Sequence, residues 1–331
     1  TWLAVIFLVT SSQFLFTSMS WYSMPAHLLL NLVWLWLYLR DDRVSLALAP
    51  IVGVLAMGLH NPFPHALFVA PFLIRMLRRR RFAWLAYAAV VYTAGSALWY
   101  SWLRSSYAYQ DASGGGLLGA FALPRLLELK LQALQLSLVL SWQAPLVAIV
   151  GLVALLRWRR LSETERDLAG GLLLTAGFYF LFPISQGHGW GYRYIYSALG
   201  NLIILAAVGA DLSAENVGGA RIARLVAAST LVALLVQWPL RAVQIERFVR
   251  PYARAMEYTA TRPDSAVFVH PGQSYYARDL VRNDPLLNTS PKVLSAPVLG
   301  DSGMRRLRDR FGGHVHEILP GELAPFGVPT F

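Results

Sequence analysis

Nine apolar stretches, each close to the length that crosses a bilayer, fill most of the first 240 residues: 1–18, 24–39, 44–60, 63–77, 82–103, 133–156, 167–183, 196–212 and 222–240. A membrane helix needs roughly 17–25 mostly apolar residues, because the hydrocarbon core is about 30 Å thick. In lipid every backbone polar group must be satisfied within the protein, so such stretches are expected to be helices. Composition agrees with this. Only 14% of the 331 residues are charged and 56% are hydrophobic, against about 25% and about 45–50% in soluble domains. Intrinsic disorder, a coiled coil and a simple soluble enzyme are excluded together.

The charges are unevenly spread, with 26 in residues 1–240 and 21 in residues 241–331. The expected architecture is therefore mainly α. A polytopic helical membrane domain of about nine spans occupies 1–240, and a small α/β domain occupies 241–331. In the tail, Phe248, Tyr252 and Met256 recur every four residues, as on one helix face. Residues 266–270 and 314–319 read as strands, and Asp301 as the cap of a helix running to Phe311. Leu123, Leu126, Leu127, Leu131, Leu134 and Leu138 form an apolar side within 123–140, which reads as an interfacial helix leading into the sixth span.

Lysine and arginine in the short loops set the orientation. Alternate loops hold 13 of them, among them Arg40, Arg43, Arg75, Arg78–Arg81, Arg157, Arg159, Arg160, Arg166, Arg221 and Arg224. The opposite loops hold four: Arg104, Arg125, Lys130 and Arg193. A charge at mid-bilayer costs roughly 2.5–3.5 kcal/mol, and the richer side is cytoplasmic. By alternation the tail domain lies on the outer side, periplasmic or extracellular, of an integral plasma membrane protein. Arginines so placed account for the net charge of +11 without nucleic acid as a partner. The chain has no cysteine, which removes disulfides, thiolate chemistry and cysteine metal sites.

The reactive groups gather on the outer side. Four of the seven histidines, His27, His60, His65 and His188, fall at that face. Residues 187–194 contain three glycines within five positions, then Tyr192 and Arg193. Glycines let a backbone approach a ligand closely, and the arginine fork matches phosphate oxygens. An aromatic interface belt is the plainer reading for Trp21, Tyr22 and Tyr194. His60 and His65 lack helical i, i+4 spacing and a third ligand, so neither a metal nor another cofactor is called for. Walker-type and dinucleotide glycine loops are absent.

Three stretches resemble the GT-C superfamily of membrane glycosyltransferases: Ser12-Gln-Phe-Leu-Phe-Thr-Ser-Met-Ser-Trp-Tyr-Ser-Met-Pro-Ala-His27, His60-Asn-Pro-Phe-Pro-His65 and His188-Gly-Trp-Gly-Tyr-Arg-Tyr194. The pattern is similar to bacterial relatives of the protein O-mannosyltransferases and the lipid A aminoarabinose transferase. The resemblance covers residues 1–240 in topology, and an outer α/β tail also fits it. It implies a polyprenyl-phosphate sugar as donor and a glycan, lipid or protein acceptor at the outer face. Arg193 is implied on the lipid phosphate, with His188 or His60 assisting, and Tyr192, His65 and His27 in the same substrate site. The superfamily's catalytic acid normally sits in the first outer loop, yet residues 17–24 contain no Asp or Glu. That acid is therefore expected upstream of Thr1, in a chain lacking its N-terminal part, and Asp111 is the candidate within this chain. Two rival classes stay open, a transporter or flippase of lipid-linked glycans and a non-catalytic membrane scaffold.

Overall fold

The computed structural model describes residues 2–20, 22–59, 61–106, 125–181, 190–272 and 275–329. The chain divides into two compact units, Thr1–Arg241 and Ala242–Phe331. It is mainly helical, with one small sheet.

The first unit is built from helices α1 (Trp2–Val9), α2 (Ser12–Ser18), α3 (Met24–Arg40), α4 (Arg43–Gly58), α5 (Phe63–Arg78), α6 (Phe82–Ser106), α7 (Leu126–Ser141), α8 (Pro145–Leu156), α9 (Glu163–Leu181), α10 (Leu199–Val217) and α11 (Gly219–Val232). A 3₁₀ turn, Arg193–Ala198, leads into α10, and a π turn, Ala233–Gln237, joins α11 to α12 (Trp238–Ala260).

Among the described residues three helices are long and apolar enough to cross a membrane: Phe82–Ser105, Arg193–Val217 and Gly219–Ala260. The pair α7 and α8, bent by 109°, makes a fourth if it counts as one span. This differs from the nine expected spans for identifiable reasons. Stretch 1–18 is interrupted after Val9, where the Ser11 hydroxyl accepts the Phe14 N–H (3.0 Å) and starts a new helix. Stretch 133–156 breaks before Pro145, which cannot donate the hydrogen bond that would continue α7. Helices α4 and α5 have 16 residues each, and α9 opens on Glu163 and Glu165. The apolar surface is nonetheless extensive. Only 11% of the α6 window is buried, and Leu98, Leu103, Leu231, Leu235 and Val236 are exposed. Patches of that size suit lipid rather than water.

The centre of the unit is the α8–α10 contact. A Cβ on Gly209 would lie 1.8 Å from the Val150 carbonyl oxygen, so the two backbones touch there. Buried Ala154, Ala206 and Ala210 extend this seam, the small-residue packing through which membrane helices approach closely. At the arginine-rich end, Arg75 pairs with Asp167 (2.8 Å), Arg81 with Asp41 (2.8 Å for one of two bonds) and Arg160 with Glu215. Asp42 caps α4 through the Ser45 N–H (2.9 Å).

The second unit holds a parallel sheet of order β2-β1-β3, formed by β1 (Ala266–Val269), β2 (Lys292–Ser295) and β3 (Val315–Ile318). β1 is wholly buried. Val267 and Val269 pack with Ala255 of α12, while Ala266 and Phe268 pack with α13 (Ala296–Arg310) on the other face. α13 carries a kink at Gly300 (φ 60°), so its regular part starts at Asp301.

Candidate functional site

Prolines set the geometry of the site. Both α3 and α5 begin with proline in their first turn, Pro25 and Pro64. A proline there loses no helical hydrogen bond, and its fixed φ suits helix entry. Before α5 the Asn61 side-chain oxygen accepts the Phe63 N–H (3.1 Å) and tightens the turn. Both helices then run toward the arginine clusters at Arg40 and Arg75–Arg78. Their N-termini therefore lie at the opposite end.

The 3₁₀ turn at Arg193 is placed by a second device. Gly191 has φ +71°, and a Cβ on it would lie 2.5 Å from the Gln13 side chain. Gln13, on α2, donates to the Tyr192 carbonyl (2.9 Å) and accepts from Gln143 (3.1 Å). Two buried amides thus fix the backbone immediately before Arg193.

Residues at the starts of α3 and α5 and of the 3₁₀ turn line one small pocket, whose lining includes Ser23, His27, Asn61, Tyr179, Arg193 and Tyr194. The Arg193 guanidinium carbon lies 5.1 Å from the Tyr22 ring centroid and 5.6 Å from that of Tyr194. Tyr194 stacks on Tyr179 of α9 (4.9 Å, 11° between planes). Each helix N-terminus carries roughly half a positive charge, and together with a guanidinium they favour an anion. Among the described residues no Asp or Glu lines the pocket.

His27 and Arg193 of the expected set therefore share this lining, and His65 and Tyr192 do not. His65 is fully buried, within a hydrogen-bonded chain whose direction follows from donor chemistry. The Trp34 indole N–H donates to the Tyr92 hydroxyl (3.0 Å), which meets His65 Nε2 (2.9 Å). His65 Nδ1 meets the Asn31 oxygen (2.8 Å), and Asn31 Nδ2 donates to the Ser197 carbonyl (3.2 Å). Because the Asn31 amide nitrogen must face a carbonyl, its oxygen faces His65, which carries its hydrogen on Nδ1. Gly53 makes room for this junction, since a Cβ there would lie 2.4 Å from both His65 Nε2 and the Tyr92 hydroxyl. Tyr192 is also interior, and its single hydroxyl hydrogen faces both the Gln132 side-chain oxygen (3.0 Å) and the Tyr179 carbonyl (3.2 Å). His60, His188 and Asp111 lie outside the described residues. Among the described residues no group of three His, Asp or Glu side chains is placed to hold a metal ion.

Sequence reading had missed Gln13, Asn31, Tyr92 and Tyr179. Polar side chains inside apolar segments were the available signal, because in a membrane such groups are costly and have work to do.

No family model matches the chain, and no curated protein or solved structure matches it.

Proposed function

We propose that this chain is a membrane glycosyltransferase that takes a sugar from a polyprenyl-phosphate donor and passes it to an acceptor hydroxyl at the outer membrane face. One observation carries the reading: the Arg193 guanidinium and the N-terminal ends of α3 and α5 converge on one pocket. A lipid phosphate needs a cationic mouth beside an apolar track, and the pocket is surrounded by apolar helices. With the arginine-rich end in the cytoplasm, the pocket opens outward.

The acceptor oxygen attacks the anomeric carbon, the bond from that carbon to the phosphate oxygen breaks, and the lipid phosphate departs. Arg193 and the helix ends stabilise the charge that grows on the leaving oxygen. His27 is the histidine placed to assist with a hydrogen bond. A carboxylate must take the hydroxyl proton, and Asp111 is the candidate in this chain.

The test separates the two roles. In nanodiscs, Arg193→Ala should weaken binding of a polyprenyl monophosphate by roughly tenfold or more, and Arg193→Lys should recover only part of it. Unchanged binding in Arg193→Ala would sink the assignment. Any transfer that the chain supports should be lost in Asp111→Asn while binding is kept, and retained transfer removes Asp111 from the role.

A second reading, a flippase for lipid-linked glycans, draws on the interrupted helices. The breaks α1–α2 and α7–α8 adjoin, because the Gln13 N–H donates to the Trp142 carbonyl (3.3 Å). Transporters often carry such breaks at their substrate sites. Here Gln13 and Gln143 bond each other across the break, so these groups serve the protein's own packing. Transbilayer movement of a fluorescent polyprenyl-phosphate sugar by the reconstituted chain, without release of sugar, would favour the flippase.

A further inference from the structure

We propose that Tyr22 is a positioning residue, whose ring holds the Arg193 guanidinium so that its in-plane N–H edge is what meets an anion in the pocket. The inference rests on the phosphate-binding reading of that pocket. It comes from a contact that an aromatic interface belt does not require.

The Tyr22 ring is 5.1 Å from the guanidinium carbon, within the range of an energetically meaningful cation–π contact. Tyr22 is itself tethered to the end of α2. Its N–H donates to the Ser20 hydroxyl (3.4 Å), which donates to the Thr17 carbonyl (2.6 Å). On the Tyr194 side the ring is fixed by stacking on Tyr179. Arg193 thus lies against two rings, anchored through α2 and through α9. Free arginine samples many rotamers, and each must be given up when it grips an anion. Rings against a planar cation remove that freedom beforehand and leave the plane as the direction of approach. A bidentate grip on two phosphate oxygens is made in that plane.

The experiment uses the full chain in nanodiscs, with phosphatidylcholine vesicles carrying a long-chain polyprenyl monophosphate as the probe and the matching polyprenol as control. Tyr22→Leu should weaken phosphate-dependent binding about 3- to 10-fold, the range expected for a partly desolvated cation–π contact. Tyr22→Phe, which keeps the ring, should restore binding to within about twofold. In an Arg193→Ala background, Tyr22→Leu should have no further effect, since its action passes through the guanidinium. A Phe variant as weak as Leu, or an equal loss in both backgrounds, would overturn the proposal. If the wild-type chain does not distinguish phosphate from polyprenol, the phosphate reading fails by itself. The same four variants then decide the positioning claim through thermal unfolding without ligand. Coupling between Tyr22→Leu and Arg193→Ala supports the clamp, and strict additivity refutes it.

Discussion

His65 shows how a histidine in an apolar helix can serve the fold rather than a ligand. Both ring nitrogens are engaged, one with Asn31 and one with Tyr92, and the side chain is fully buried. His65→Phe keeps the ring volume but strands an amide oxygen and a hydroxyl. It should cost about 1–3 kcal/mol in thermal unfolding. The affinity of the folded protein for a polyprenyl phosphate should stay within about twofold, as expected for a residue outside the pocket. A tenfold loss of affinity would return His65 to the ligand site. The sequence put His27 and His65 near the starts of their apolar stretches, each just after a proline, and they are the fourth residue of α3 and the third of α5. It could not say which way each pointed. In a helix packed on one side by protein and on the other by lipid, both sides are apolar, and periodicity carries little direction.

At the scale of elements, legibility followed local chemistry. Strands expected at 266–270 and 314–319 correspond to β1, whose four residues are all buried, and to β3, where Ile318 alone is buried. β2 went unread, because Lys292 and Ser295 frame only two apolar residues, Val293 and Leu294. The bend before Pro145 was readable in principle, whereas the break at Ser11 lies in a run of small polar and apolar residues with no proline. The approach to Arg193 depends on Gly191. Gly191→Ala should lower the melting temperature and weaken phosphate binding together, because a residue with a Cβ at φ +71° is strained and would also displace Gln13. Intact binding with a lowered melting temperature would show that Gln13 does not set the loop. In the second unit, the turn Pro320–Leu323 is tied down by Glu322. Burial alone would raise its pKa, but hydrogen bonds from His316 (3.1 Å), the Leu319 N–H (3.3 Å) and Tyr258 (3.1 Å) outweigh that and hold it below 4.5. A folded-state value below the unfolded one means that this stabilisation is complete above about pH 4.5 and fades as pH falls through the folded value. Hydrogen exchange across residues 315–323 should therefore speed up on acidification, and Glu322→Gln should flatten the change.

For the whole molecule, the reading commits to sidedness. A one-sided reporter inserted at Arg80 should respond from the cytoplasm, and one at Thr289 from the outside. Both responding from one side would break the alternation on which the outward pocket depends. The division near residue 240 was visible as a change in charge density, because a folded surface in water needs charge and a surface in lipid excludes it. The number of crossings was less visible, since hydropathy measures the length of an apolar run and not its continuity.

The chain of side chains from Trp34 to Ser197 has a further consequence. A file of hydrogen bonds inside a membrane protein invites protons to hop along it, and hopping requires each member to exchange the roles of giver and receiver. Tyr92, His65 and Asn31 lie between two groups that cannot exchange them, an indole that only donates and a backbone carbonyl that only accepts. The file is therefore insulated at both ends. Polar groups held in this way can sit in an apolar interior without forming a proton relay, and Trp34→His, which gives one terminus both roles, would still leave the other closed by the Ser197 carbonyl.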